Sequence, residues 1–307
     1  MDTHAAPPPH DVDVPAPPRW SIGLLPALLV VSAAPLFFYV RLEWPPARWI
    51  GIATIAAGLL LAHLWRDRLT AERRAAGVDD SRFPRPPSLL RDLSLVALGL
   101  LIVSTTALKA GLSDLDMVRF TVVLGSAVAV PYLVSRFVYR DRAIGFPWRG
   151  GSRWSRLQKA WLVAALVLGW LLLPTYFITT GVYLNWPHVT TTDLMVRLGI
   201  GVSAVGIWDE LFFVCTCFAL LRRHFPFPAA NLLQAVVFAS FLWELGYQAW
   251  GPAFTFPFAL VQAAIFVRTR SLGYVVCVHL LFDLVVWGVM VHAHNPGLLD
   301  AFFLVSP

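Results

Sequence analysis

Apolar residues run along this chain in long blocks, not in the alternating or every-third patterns of half-buried surface elements. Nine blocks stand out, near 20–40, 47–65, 93–112, 118–139, 160–182, 195–221, 229–249, 252–267 and 272–291. A helix needs about 20 mostly apolar residues to cross the hydrocarbon of a bilayer. Only structures that satisfy their own backbone hydrogen bonds survive there. The pattern therefore predicts an all-α fold, a polytopic transmembrane helix bundle of about eight or nine spans. The block at 252–267 is the shortest.

The polar gaps predict the orientation. Loop 66–92 holds Arg66, Arg68, Arg73, Arg74, Arg82, Arg85 and Arg91, and loop 140–159 holds Arg140, Arg142, Arg149, Arg153, Arg156 and Lys159. Arg222 and Arg223 follow the sixth block, and Arg268 and Arg270 the eighth. With nine crossings all these loops fall on one side, which the positive-inside rule makes cytoplasmic. The N-terminus is then cytoplasmic and the C-terminus outside. Residues 1–18 are polar and proline-rich ("APPPHDVDVPAPP") and read as a disordered cytoplasmic tail, not as a cleaved signal peptide.

Composition agrees. Hydrophobic residues make up 58% of the 307 and charged residues only 14%, against about 25% charge in soluble domains. The net charge of +6 is accounted for by topology and contact with lipid headgroups, not by nucleic-acid binding. Cys215, Cys217 and Cys277 all lie within blocks and suggest no disulfide. The strong preference for Arg, 22 to 2 Lys, fits a GC-rich bacterium and places the protein in a bacterial inner membrane.

Ionisable side chains inside the blocks mark the chemistry. Residues 19–182 have almost none, whereas 183–307 carry Asp209 and Glu210 in "IWDELFFV", Glu244 in "FLWELGYQ", and His279 with Asp283 in "VCVHLLFDLVV". A charge at the bilayer centre costs at least ~2.5 kcal/mol, so such residues are functional candidates by default. His279 and Asp283 are i and i+4 on one face. Asp209 and Glu210 are about 100° apart, so Glu210 is expected to face the shared cavity and Asp209 a neighbouring helix. The small residues Gly199, Gly201, Ser203, Ala204 and Gly206 would let a partner helix approach closely. Carboxylates with a histidine suit water-dependent hydrolysis; the same residue types allow ligation of a divalent metal such as zinc, although no HExxH motif is present.

Residues 208–283 resemble the CPBP family of intramembrane proteases, which includes the CAAX prenyl endopeptidases and bacteriocin-processing proteins. That family carries EExxxR on one span, FxxxH on the next and HxxxN or HxxxD on a later one. Here "DELFFV", "FASFLWELG" and "HLLFD" follow in that order. Asp209 stands for the first glutamate, Glu210 matches the second, and Val214 replaces the arginine. Glu244 falls where the second motif's histidine is expected, with Ser240 for its phenylalanine. His279 and Asp283 match the third motif.

The resemblance implies that Asp209 or Glu210 acts as general base, that Glu244 substitutes for the missing histidine, and that His279 with Asp283 stabilises the oxyanion. It implies a membrane-associated protein or peptide as substrate: a leader, a precursor or a C-terminal sorting tail. No cofactor is required on this glutamic route. A metal-dependent membrane enzyme, a catalytically silent scaffold or immunity protein, and a proton-coupled transporter remain the alternatives.

Overall fold

The computed structural model describes residues 21–77, 85–150 and 153–306, and among these all regular structure is helical. The proline-rich tail expected at 1–18 lies outside the described residues. Helices α1 (Leu24–Glu43) and α2 (Ala47–Leu64) form a first hairpin. They are followed by α3 (Arg66–Ala75), a polar helix with no buried residue. Next come α4 (Leu89–Val103), α5 (Asp114–Val138), α6 (Arg156–Thr179), α7 (Thr192–Arg222), α8 (Phe227–Leu245), α9 (Pro252–Thr269) and α10 (Leu272–His294). All but α3 and α4 are long and apolar enough to cross a membrane, eight helices among the described residues.

The short element is α4, not the block at 252–267, which forms an 18-residue helix. At 15 residues, α4 rises only about 22 Å. Its expected continuation to 112 fails at "STT". Ser104 Oγ donates to Leu101 O (2.8 Å) and Thr105 Oγ1 to Ile102 O (2.6 Å), so hydroxyls take carbonyls that the ladder would otherwise use. The other helices begin where local chemistry directs. Ser155 and Gln158 make a reciprocal capping box for α6, and Ser113, Thr191 and Ser271 cap α5, α7 and α10 with their side chains.

Burial locates the core. The most apolar stretches of α7, α8 and α10 are 72%, 67% and 67% buried, against 22% for α5. Three packed helices thus stand inside an outer set that presents apolar side chains outward, as lipid would require. Trp208 and Phe212 on α7 stack at 4.9 Å. Gly99 of α4 seats on that stack, since a Cβ there would lie 2.4 Å from the Phe212 ring.

Ion pairs tie the bundle at both ends. At one end the fully buried Arg223 reaches Asp92 at the start of α4 (2.9 Å) and Asp141 beyond α5 (3.0 Å). His224 Nε2 meets the same Asp92 at 2.6 Å, and Arg73 donates to Arg223 O at 2.8 Å. Burial lifts the Asp141 carboxyl above its ordinary range in spite of Arg223, and burial lowers His224 in spite of Asp92. At the opposite end Arg41 meets Glu244 (2.8 Å) and the carbonyl of Ser104 (2.9 Å). The first turn of α4 therefore meets one cluster and the residue after its last turn the other, so α4 keeps the up-and-down alternation despite its length.

Removing one partner of a buried ion pair costs about 3–5 kcal/mol because the other charge is left uncompensated. Arg223→Met should accordingly lower the melting temperature of the detergent-solubilised protein sharply. Adding Asp92→Asn and Asp141→Asn should restore much of the loss. A melting temperature unmoved by Arg223→Met would show that the cluster does not tie the helices.

Candidate active site

The two adjacent carboxylates stand at a change of helix type. α7 is α-helical to Asp209 and continues as a π-helix over Glu210–Phe218, a rare geometry frequent at functional sites. The wider turn changes which way the pair points. His279 of α10 sits between the two carboxylates. Its Nδ1 lies 2.7 Å from Glu210 Oε1, and its Nε2 lies 3.5 Å from Asp209 Oδ2 and 4.0 Å from Asp283 Oδ1. Three of the other four candidates thus converge on the His279 imidazole, all of them buried.

The sides of that ring differ. On the Nδ1 side, Glu210 Oε1 also accepts from Gln262 Nε2 of α9 at 2.7 Å, and Gln262 donates in addition to Val275 O at 3.1 Å. On the Nε2 side, Asp209, His279 and Asp283 line a cavity of about 540 Å³ whose remaining wall is mostly apolar. The sequence expectation is therefore reversed. Asp209 faces the cavity, and Glu210 stands behind the histidine and orients it. Gln262 is a polar member of the site that no motif signalled; its own clue was an amide inside an otherwise apolar block.

Close approach of α7 to α10 depends on Gly206. A Cβ at that position would lie 1.9 Å from Asp283 Oδ2 and 3.3 Å from His279 Cδ2. The expected helix contact is thus with the site itself. Gly199 similarly faces Trp287 of α10, whereas a Cβ on Gly201 meets nothing within 4 Å.

Glu244 is not brought to this cluster. Its Oε1 accepts from Arg41 at 2.8 Å and from the Leu108 N–H at 3.2 Å, so the group acts at the bundle end. The α8 residues on the cavity wall are Phe238, Leu242 and Leu245. Phe238 and Leu242 have the FxxxH spacing. In that register leucine stands at the histidine's place, whereas neither Ser240 nor Glu244 is on the wall. Tyr247 also lines the cavity, while Gln248 turns away to accept from Asn185 Nδ2 at 3.2 Å.

His292 and His294 at the end of α10 are buried, with their rings bonded to Val305 O and Met290 O. Trp186 is buried against Phe177 and Tyr247. Cys215 and Cys217 are buried free thiols, as expected.

Glu210, Asp209, His279 and Asp283 have the donor chemistry of a divalent-metal site. Glu210 is nevertheless occupied by Nδ1 and Gln262, and among the described residues no three His, Cys, Asp or Glu side chains are disposed to hold a metal ion.

Residues 191–285 match the family model described as type II CAAX prenyl endopeptidase Rce1-like. The matched stretch runs from the cap of α7 through Asp283 and contains every member of the cluster. Searches of curated proteins and of solved structures give no match.

Two comparisons test the geometry. Gly206→Ala should fold, because the carboxyl can swing aside, yet it should lose function as completely as Asp283→Asn; retained function would show that Asp283 need not touch α7. Arg41→Met alone should destabilise by about 3–5 kcal/mol, and Arg41→Met with Glu244→Leu by much less. Equal melting temperatures for the single and double variants would argue that Glu244 is not held by Arg41.

Proposed function

Taking residues 191–285 as an Rce1-like endopeptidase domain, we propose that this chain is an intramembrane endopeptidase that cuts a membrane-associated polypeptide with carboxylate-activated water. One observation carries the reading: the Asp209–His279–Asp283 face of a clamped imidazole closes one part of an apolar cavity inside a helix bundle. Apolar walls accept an extended or helical segment drawn from the bilayer. The polar patch is where a peptide bond and a water meet.

Asp209 is the general base. Its carboxylate takes a proton from water as the water oxygen adds to the scissile carbonyl carbon. His279, protonated at both nitrogens, donates from Nδ1 to Glu210 and from Nε2 to the developing oxyanion. Asp283 flanks Nε2 and keeps the ring from turning. Asp209 then delivers its proton to the amide nitrogen, the C–N bond breaks, and a carboxyl terminus and an amine are released. Glu210 and Gln262 are positioning residues on this reading, since they act through the histidine. The substrate is a leader, a precursor or a C-terminal sorting tail in a bacterial inner membrane.

Terminal-peptide mass spectrometry of membrane and secreted proteins tests this. Cells carrying the native chain are compared with cells carrying Asp209→Asn at equal expression. Termini unique to the native chain should appear, and loss of the base should reduce them about 10²–10⁴-fold. Identical termini, with a deletion phenotype still complemented by Asp209→Asn, would replace the protease with a scaffold. Loss of cleavage on treatment with 1,10-phenanthroline, restored by zinc, would replace the carboxylate route with a metal-dependent one.

A further inference from the structure

Leu242 leaves the α8 wall without the polar group that the FxxxH pattern places there. Five residues further on, Tyr247 returns to the same cavity, the only tyrosine on its wall among the described residues. Its place is fixed by the way α8 ends. Gly246 has φ 133°, a value that favours glycine, and the Tyr247 N–H donates to Leu242 O at 2.9 Å. The chain is thereby folded back over the helix end.

The ring is then wedged edge-on against Phe177 (5.4 Å), Trp186 (5.6 Å) and Phe254 (6.1 Å). Its neighbour Tyr176 spends its hydroxyl on Gln248 O at 2.6 Å. The Tyr247 hydroxyl has no such bond to any described residue, although the side chain is only 8% exposed. Burial, with the Asp283 and Asp209 carboxylates in reach, holds the phenol well above its ordinary range, so it stays a donor at neutral pH.

We propose that Tyr247 is a further catalytic residue, whose hydroxyl donates a hydrogen bond to the scissile carbonyl oxygen from the α8 side of the cavity, across from His279 Nε2. This inference rests on the hydrolytic reading above. No bond to Tyr247 forms or breaks. Its O–H···O contact strengthens as the carbonyl oxygen gains negative charge and relaxes when the C–N bond cleaves.

The test is Tyr247→Phe, which keeps the ring and removes only the hydroxyl. The substrate identified by terminal-peptide comparison is reconstituted with the full-length native chain, with Tyr247→Phe and with Asp209→Asn in proteoliposomes. Loss of one oxyanion donor should lower kcat about 10²–10³-fold, with KM and the melting temperature unchanged. If Asp209→Asn abolishes cleavage and Tyr247→Phe cuts at the native rate, Tyr247 is only a packing residue and the hydrolytic reading survives. A Tyr247→Phe loss that lies wholly in KM or in melting temperature overturns the proposal in the same way. If native and Asp209→Asn cells show the same termini, both the hydrolytic reading and the role of Tyr247 fall.

Discussion

A charge buried in a helix bundle must bring its partner with it, and in this chain that requirement organises almost everything else. Hydrocarbon offers no solvent to an ionised side chain, so each such group sits where another helix supplies the complement. Arg223 gathers α4, the segment after α5 and the end of α7 at one end; Arg41 gathers α1, α4 and α8 at the other. Between them His279 draws α7, α9 and α10 together through Glu210, Gln262 and Asp209. Apolar packing between these ties gives bulk, but it does not choose which helix lies beside which.

The middle tie differs from the other two in one respect. The end clusters are built on guanidinium groups paired with carboxylates. At the centre one imidazole is shared among three carboxyl groups, and one side of it faces a cavity. The asymmetry comes from α7. A π-helix starting at Glu210 turns that residue inward against α9 and α10 and leaves Asp209 facing the cavity. Glycine at 206 then permits the distance at which Asp283 reaches the site.

Much of this was legible in the sequence. Block length and arginine placement carried the bundle and its alternation, because bilayer thickness and charge are coarse constraints that composition records directly. His279 and Asp283 were readable because i and i+4 share a face in any helix. The orientation of Asp209 against Glu210 was not, since an angular estimate assumes an α ladder and nothing in "DELFFVCTC" announces a π one. Glu244 misled for a related reason. An acid in an apolar run is a strong signal, but its partner Arg41 lies 203 positions away, beyond any local pattern. Gln262 was obscured by its ordinariness. α4 ended early because the hydroxyls of Ser104 and Thr105 compete with the ladder, an effect that hydropathy does not register.

A cavity with mostly apolar walls also bears on where water is held. At about 30 Å³ each, bulk water would place about 18 molecules in 540 Å³. Nearly all of that volume is bounded by side chains that hold water weakly. A polypeptide segment entering it would sweep the space dry except beside Asp209, His279, Asp283 and Tyr247. Filling the passage would thereby sort the solvent, and on the proposed reading the molecules left in place are those beside the groups that would activate them.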